Sequence, residues 1–302
     1  MLRQVLLLIL VFICSSHGAF AQSASNAGFL KIVEDRLAID AKHSSASSEN
    51  SGRFAAVCPA ERSITLKHVL REYGAVFAAG PAVSIPERCM FRSHDEVSKF
   101  QKTLKTRSDI LSGAPIELQE AAMIALLKAI TDVNLKNLRI TPLDGSIAGK
   151  RSFADTVRIW NSRFLPALSH YVWTGGIPMI EADAARWWEF EKQAEKVLEW
   201  ESRGYYFGTN RNGPIFSSTA PPGTSQHLSL LAFDVVQYGN PGVRKILNEH
   251  GWFQTVAGDS PHFTYLGLAE SELPSRGLKA VSRGGYTYWV PNLDSPASLQ
   301  QK

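Results

Sequence analysis

Long apolar runs, cysteines and clusters of basic residues are scarce in this 302-residue sequence, and these absences exclude several classes of protein. The apolar run at residues 5–13 is too short to span a membrane stably. There are 32 lysines and arginines against 28 aspartates and glutamates, and no basic cluster indicates nucleic-acid binding. The metal-binding helix pattern HExxH is also absent. With 44% hydrophobic and 20% charged residues, the composition is that of an ordinary globular protein.

The N-terminus has the layout of a secretory signal peptide. Arg3 supplies an early positive charge, the apolar run follows it, and Ala19-Phe20-Ala21 offers a cleavage site of the small-x-small type. We therefore expect residues 1–21 to be a signal peptide and the mature protein to be exported without a stable membrane span. Cys14 suggests lipidation as an alternative, but the bulky residues before it do not fit lipoprotein processing.

Removal of the signal leaves two cysteines, Cys58 and Cys89. In an exported protein such a pair is expected to form one disulfide. The alternative is a pair of free, buried thiols.

Two short segments carry residues suited to binding a metal. The first contains His227 and Asp234, and the second contains Asp259 and His262. A catalytic zinc takes three nitrogen or oxygen ligands from the protein and leaves a fourth position for water. This requirement makes His227, Asp234 and His262 candidate ligands and Asp259 a candidate base.

The local pattern predicts how the candidate ligands converge. Residues 228–238 are apolar and β-branched enough to predict a buried strand that carries Asp234. His227 follows the breaker Pro221-Pro222-Gly223 and so lies where a loop enters this strand. Residues 262–268 alternate with a period of two, which predicts a second strand with His262 on one face. If the two strands are neighbours, the three donors can meet.

These segments resemble the D-alanyl-D-alanine metallopeptidases, a group that also contains lysostaphin and the hedgehog signalling domain. The first family motif, SxHxxGxAxD, is matched by Ser225, His227, Ala232 and Asp234, with Leu230 at the position of the glycine. The second motif places an acid shortly before the last histidine and is matched by Asp259, His262, Phe263, Tyr265 and Gly267. The carboxypeptidases usually have Glu as this acid. Asp followed by x-Pro-His-Phe is more similar to the L-alanyl-D-glutamate endopeptidases.

The family also places an arginine in a Gly-Tyr-Arg-Ser-Tyr type of segment before the zinc motifs. Gly149-Lys150-Arg151-Ser152-Phe153 takes that place here. The resemblance implies that Arg151 grips a substrate carboxylate, for which the planar fork of arginine is suited. Three other arginines compete for the role: Arg139, Arg158 and Arg163.

The resemblance implies an α+β fold, with an antiparallel zinc-bearing sheet of the hedgehog and D-Ala-D-Ala peptidase type, flanking helices and an N-terminal helical region. It implies a zinc peptidase of the periplasm or extracellular cell wall that cuts peptidoglycan stem peptides. Zinc-activated water would attack the peptide carbonyl with Asp259 as general base. D-alanyl-D-alanine carboxypeptidase activity is favoured over L-alanyl-D-glutamate endopeptidase activity.

Composition and periodicity divide the rest of the chain. We predict a polar tether at 22–57, a helical region at 58–136, a zinc peptidase domain at 137–292 and a tail at 293–302. Helices are predicted at 63–74, 94–104, 115–134, from 153, at 183–203 with Trp187 on the buried face, and at 240–251, and strands are predicted after 138 and at 286–290. Residues 205–223 are rich in Gly, Pro and Ser, and we expect them to form a lid or a subsite wall.

Three alternatives stay open. Gly223-Thr224-Ser225 faintly suggests a serine hydrolase, although no second glycine completes a nucleophile elbow. A non-catalytic wall-binding protein is possible because Leu230 and Asp259 depart from the carboxypeptidase pattern. A different zinc site could use His170 or His250.

Overall fold

Small antiparallel sheets and the helices around them form an α+β fold, seen in a computed structural model that describes residues 28–43, 54–60, 62–86 and 88–293. The helices are α1 (Phe29–His43), α2 (Phe54–Val57), α3 (Ile64–Tyr73), α4 (His94–Thr103), α5 (Glu120–Leu135), α6 (Phe153–Trp173), α7 (Met179–Ala185), α8 (Phe190–Ser202) and α9 (Pro241–Glu249). The strands are β1 (Thr106–Leu111), β2 (Ala114–Gln119), β3 (Ala232–Asp234), β4 (Trp252–Gln254), β5 (His262–Tyr265), β6 (Leu278–Arg283) and β7 (Tyr286–Pro291).

The central sheet has the strand order β3-β5-β4, and both pairings are antiparallel. Asp234 on β3 is the direct partner of His262 on β5. Directly paired residues point to the same face of a sheet, so the two side chains lie together. The strands that carry Asp234 and His262 are therefore neighbours, which is the condition under which the three donors can meet.

The two strands are shorter than the sequence predicts. A 3-10 turn at Gln226–Ser229 occupies the start of the predicted strand 228–238, and Leu230 follows it with a left-handed φ of 58°. A non-glycine residue in this conformation costs roughly 1–2 kcal/mol. Leu230 is fully buried, and burial of its side chain offsets that cost. Leu230 stands where the resembled motif has glycine, the residue that adopts this conformation without steric cost.

The predicted helix 115–134 is wrong in its first part, which is strand β2. Ser112 and Gly113, both with positive φ, form the turn of a β1–β2 hairpin. Ile116 and Leu118 are fully buried and Glu117 between them is not, which is the alternation of a strand. The helix α5 begins only at Glu120. The predicted helical region 58–136 therefore contains a hairpin, and the predicted strand after residue 138 is reduced to a bridge between Pro142 and Val235.

The predicted helix 183–203 is two helices. α7 ends at Ala185, and α8 begins at Phe190. Trp187 lies in the break and is 88% exposed, so its placement on a buried face is wrong. α7 buries Ala182 and Ala185 but exposes Ala184, and α8 buries Ala194.

Several predicted helices are confirmed, and the structure shows how their first turns are capped. Ser63 and Ser93 cap α3 and α4 through their side chains, and Ser152 forms a capping box with Asp155 at the start of α6. Asn240 caps α9, which has Pro241 at its first position. The predicted closing strand is β7, paired with β6.

The N-terminal part of the described chain packs on the core. Phe29 and Val33 of α1 are fully buried, so this part of the predicted tether is a packed helix. Cys58 and Cys89 form a disulfide, as predicted. The predicted signal peptide lies outside the described residues, and the segment limits within 22–302 stay a prediction. None of the described helices has both the length and the apolar character needed to cross a membrane.

Candidate metal centre

His227 enters the site from the 3-10 turn before β3. Its side chain is 1% exposed, and its Nδ1 lies 2.7 Å from the carbonyl oxygen of Gly149. A carbonyl can only accept a hydrogen bond, so Nδ1 carries the proton and donates it. Nε2 is therefore the ring nitrogen with a free lone pair.

His262 is held in the same manner from the other side. Its Nε2 lies 2.8 Å from Oε1 of Gln226, whose own amide nitrogen donates to the carbonyl of Tyr73 at 2.8 Å. Gln226 thus turns its oxygen to His262 and fixes the proton on Nε2. The free lone pair of His262 is on Nδ1.

The two free nitrogens meet one carboxylate oxygen. Nε2 of His227 lies 3.1 Å from Nδ1 of His262, and Oδ1 of Asp234 lies 3.3 Å and 3.1 Å from these two atoms. Ligands arranged tetrahedrally around zinc at ordinary bond lengths lie about 3.3 Å apart. The three atoms therefore have the chemistry and the spacing of a zinc site with an open position. The sequence prediction named all three residues.

The protonation states agree with metal binding. Burial, together with the positive charge of Arg151, lowers the pKa of His227 to about 4, so its ring is neutral at physiological pH. Burial opposes ionisation of Asp234, but its contacts with His227 and His262 outweigh burial and hold its pKa well below the usual range. Neutral imidazoles and a carboxylate are the forms that bind a divalent metal.

Arg151 contacts Asp234. Its Nη2 lies 2.6 Å from Oδ2 of Asp234, and its Nε donates to the carbonyl of Ile147 at 3.1 Å. The ion pair occupies one carboxylate oxygen and leaves Oδ1 facing the histidines. In this structure Arg151 orients a candidate ligand, whereas the sequence predicts a grip on substrate. Of the competing arginines, Arg158 and Arg163 line the cleft and Arg139 does not.

Replacing Arg151 by alanine should weaken metal binding. Without the guanidinium, Asp234 loses its orienting partner and a proton competes better for His227. Loss of such an outer partner costs about 10–100-fold in metal affinity. A zinc titration against a chelating dye measures it, with Arg158→Ala as the control on the same cleft wall. Unchanged affinity in Arg151→Ala would return Arg151 to the predicted role in substrate binding.

Asp259 lies in the same cleft as the three candidate ligands. Its backbone carbonyl accepts a hydrogen bond from the amide of His262 at 3.2 Å, while its carboxylate accepts none from the described residues. Burial raises the pKa of this carboxyl. An aspartate without partners and with a raised pKa is suited to take up a proton.

The cleft over the candidate ligands has a volume of about 330 Å³. One wall is α6, which contributes Arg158, Ser162 and Arg163, and the opposite wall is residues 216–220. Ser225 also lines the cleft but has no hydrogen bond to a histidine among the described residues, so the geometry of a serine hydrolase is not seen.

The alternative histidines lie elsewhere. Nε2 of His250 contacts Oδ2 of Asp132 at 2.7 Å, and the ring of His170 packs on Tyr171 and Trp173. Within the described residues, the group His227, Asp234 and His262 alone brings three potential ligand atoms together. A site built on His170 or His250 is not supported.

No family model matches the chain, and no curated protein is found as a relative. Among solved structures, the chain is similar to a mutant of the vancomycin-resistance D,D-pentapeptidase VanY, from the VanB-type resistance cassette, in complex with Zn(II). The identity is 17% and the TM-score is 0.30, over 53% of this chain and 79% of that chain.

Gln226 is the main site residue that the sequence did not predict. Its Oε1 accepts hydrogen bonds from His262 and from the hydroxyls of Thr255 and Thr264, and all three of these residues are buried. Its position inside the Ser225-x-His227 motif is the single signal that could have indicated it. The carbonyl of Gly149 is a second such contact, which no side-chain pattern predicts.

Residues 205–223 form a fixed wall. Phe207 stacks on Phe164 and Trp200, and Phe216 packs against Trp160. These contacts favour the predicted subsite wall over a lid. Because they are part of the core, removing the whole segment is expected to disturb folding.

Glu201 fastens this wall to α8. One of its oxygens, Oε1, accepts hydrogen bonds from the backbone amides of Phe207 at 3.0 Å and Ile215 at 2.7 Å. Burial raises the pKa of this carboxyl to about 7. The hydrogen bonds from the two amides lower the pKa, but by less than burial raises it.

The pKa of Glu201 predicts a fall in stability with pH. The folded chain holds the proton up to about pH 7 and the unfolded chain only to about 4.5. Stability is therefore highest below pH 4.5 and falls as pH rises through 7, by up to about 3 kcal/mol. Urea unfolding at pH 5 and pH 8 should show this fall, and Glu201→Gln should remove most of it. The exposed Glu199, changed to Gln, serves as control; the same slope in Glu201→Gln would contradict the prediction.

Proposed function

We propose that this protein is an exported zinc peptidase that cleaves peptidoglycan stem peptides. The observation that carries the proposal is the convergence of Nε2 of His227, Nδ1 of His262 and Oδ1 of Asp234 at 3.1–3.3 Å. Each imidazole has its other nitrogen held by a carbonyl oxygen, which is how metal-ligating histidines are fixed in proteins. Export and the class of substrate are supported by the sequence of residues 1–21 and by the two motifs.

The residues of the cleft supply the rest of the chemistry. A zinc ion at the three ligands would lower the pKa of a coordinated water to about 7 and polarise a peptide carbonyl. Asp259 accepts the proton of the attacking water and returns it to the leaving amine. Such a proton transfer contributes typically about 10²- to 10⁴-fold to the rate. Arg151 keeps Asp234 in place.

The charge of the cleft wall favours a carboxypeptidase. Arg158 and Arg163 on α6 line the cleft, and each makes one side-chain contact, Arg158 with Asp155 and Nη1 of Arg163 with Oγ of Ser162 at 2.9 Å. A guanidinium with donors to spare suits the terminal carboxylate of a peptide. We therefore place D-alanyl-D-alanine carboxypeptidase activity first and L-alanyl-D-glutamate endopeptidase activity second.

A digest of purified stem peptides, analysed by mass spectrometry with added zinc and with a chelator, tests the proposal. Zinc-dependent loss of one terminal alanine is the expected result. A zinc-dependent break after L-alanine would instead assign the endopeptidase reaction. If zinc binds but no product forms with either bond, the protein is a wall-binding protein and the proposed activity is wrong.

A further inference from the structure

The loop between β4 and β5, residues 255–261, carries the candidate base Asp259 into the metal cleft. The carboxylate of Asp259 accepts no hydrogen bond from the described residues, and only burial and neighbouring charges shift its pKa. No donor therefore fixes the direction of this side chain. The place of the carboxylate depends on the course of the backbone, so the contacts that hold the loop also place the candidate base.

A tight turn shapes this loop. The amide of Asp259 donates to the carbonyl of Val256 at 3.0 Å, and the amide of His262 donates to the carbonyl of Asp259 at 3.2 Å. Gly258 has a φ of 112°, a conformation that favours glycine. Local hydrogen bonds in a partly exposed loop open readily, because few buried contacts support them. Contacts from other elements therefore decide how firmly the turn is held.

The central sheet holds the end of the loop. The amide of Val235, which directly follows β3, donates to the carbonyl of Pro261 at 2.9 Å. The side-chain amide of Gln254 on β4 donates to the carbonyl of Ser260. Both of these contacts lie on the C-terminal side of Asp259.

The β6–β7 hairpin contacts the loop on both sides of Asp259. Before it, Nη1 of Arg283 at the end of β6 donates to the carbonyl of Ala257 at 3.1 Å. After it, the hydroxyl oxygens of Tyr288 on β7 and Ser260 lie 2.8 Å apart, so one donates to the other. The hairpin is a separate two-stranded sheet, and neither Arg283 nor Tyr288 lines the metal cleft.

Tyr288 makes the firmer of the two hairpin contacts. Its side chain is 1% exposed, and Ser260 is its one hydrogen-bond partner among the described residues. A buried hydroxyl that loses its partner is costly, so this bond resists opening. Arg283 is exposed, and water competes for its bond to Ala257. The pair of Tyr288 and Ser260 is therefore the contact through which the hairpin acts on the loop.

We propose that Tyr288 is a positioning residue for the peptidase reaction, which holds Asp259 against the candidate metal ligands through its hydrogen bond to Ser260. The proposal rests on the proposed function, since it takes Asp259 as the base. It gives the β6–β7 hairpin a part in the reaction, although the hairpin touches neither the cleft nor the candidate ligands.

The test is Tyr288→Phe, which removes the hydroxyl and keeps the ring. We expect kcat on a stem pentapeptide to fall by about tenfold or more, because a small displacement of a catalytic group is costly. KM and zinc affinity should not change, since the cleft wall and the ligands keep their contacts. A merely structural role would lower the melting temperature and leave kcat of the folded protein unchanged.

Three further variants locate the effect. Tyr286→Phe is the matched control on the same strand: its hydroxyl has no hydrogen bond within the described part of the chain, so kcat should be kept. Ser260→Ala removes the same bond from the partly exposed loop and serves if Tyr288→Phe does not fold. The double variant of Ser260 and Tyr288 should be no slower than either single variant. Effects that multiply in the double variant would contradict the proposal.

Amide hydrogen exchange gives a readout that does not depend on turnover. Peptides spanning residues 256–261 should exchange faster in Tyr288→Phe and at the wild-type rate in Tyr286→Phe. Unchanged exchange in folded Tyr288→Phe, or unchanged kcat despite faster exchange, overturns the proposal and leaves the peptidase. Faster exchange in Tyr288→Phe, when the wild-type protein cleaves no stem peptide, would keep Tyr288 as the support of the loop and remove the peptidase.

Discussion

Replacing His227 by alanine is expected to abolish both metal binding and peptide cleavage. The change removes one of the three candidate ligands, whose Nε2 lies 3.1 Å from Nδ1 of His262 and 3.3 Å from Oδ1 of Asp234. Loss of an outer partner of a metal ligand already costs about 10–100-fold in affinity, and loss of a ligand should exceed this. Zinc content by mass spectrometry of the purified protein and turnover of a stem peptide measure the two effects.

A matched histidine provides the control. His250 is half-buried and contacts Asp132 on α5, away from the cleft. His250→Ala should therefore keep one zinc per chain and normal turnover. Retention of tightly bound zinc in His227→Ala would show that the ligand set is wrong, and His262→Ala then tests whether any part of the set is right.

The variant Gln226→Leu tests whether a residue that only orients a candidate ligand affects zinc affinity less than the ligand itself does. The leucine keeps the size of the side chain but cannot accept the proton of His262, so the proton can move to the nitrogen that faces His227. We expect zinc affinity to fall by about 10–100-fold, less than in His227→Ala. An equal loss in both variants would mean that Gln226 holds the fold of the site and not the ring orientation alone.

The sequence was sufficient to predict the three residues that the structure brings together, because the patterns that place them are local. Alternating residues place His262 on one face of β5, and a buried strand carries Asp234, so that strand pairing alone brings the two together. His227 follows from its place at the entrance to β3. The left-handed Leu230 delays the start of that strand to Ala232, but the strand still contains Asp234, so the three candidate ligands lie together although the strand limits differ from the prediction.

The supporting contacts could not be predicted because they join residues far apart in the chain. Gln119 donates to the carbonyl of Ser229, 110 residues away, and Gln101 donates to the carbonyls of Arg151 and Leu228. No periodic pattern reports such pairs. They also give the region before the two metal-site segments a role: α4 and the β1–β2 hairpin hold the loops that carry His227 and Arg151.

The pairing of Arg151 with Asp234 was missed for a related reason. The sequence motif identifies the arginine, but the partner of its guanidinium depends on where residues 147–151 pass the end of β3. The hydrogen bond from the amide of Leu143 to the carbonyl of Asp234 sets that path. The motif therefore identifies Arg151 as a residue of the site, but it does not predict that the guanidinium contacts Asp234.

The two aspartates beside the histidines are shifted in opposite directions. Contacts with the histidines hold the pKa of Asp234 low, whereas burial raises the pKa of Asp259. Two carboxyl groups whose environments separate their pKa values have different roles in acid–base sites. Asp234 is thereby fitted to be a ligand, which must stay ionised, and Asp259 to be a base, which must take up a proton and release it.

Asp259→Asn should therefore leave zinc bound and lower kcat by about 10²- to 10⁴-fold. Asn has the same size and cannot accept the proton, so the loss reports the base and not the shape of the cleft. Asp144→Asn is the matched control: Asp144 lines the same cleft in a left-handed conformation that Asn tolerates. Its zinc content and kcat should be unchanged. Full turnover in Asp259→Asn would mean that another group accepts the proton. Loss of zinc in the same variant would mean that Asp259 is part of the metal site. Partial activity in Asp259→Glu would show that the site tolerates the longer side chain of glutamate, which the carboxypeptidases usually carry.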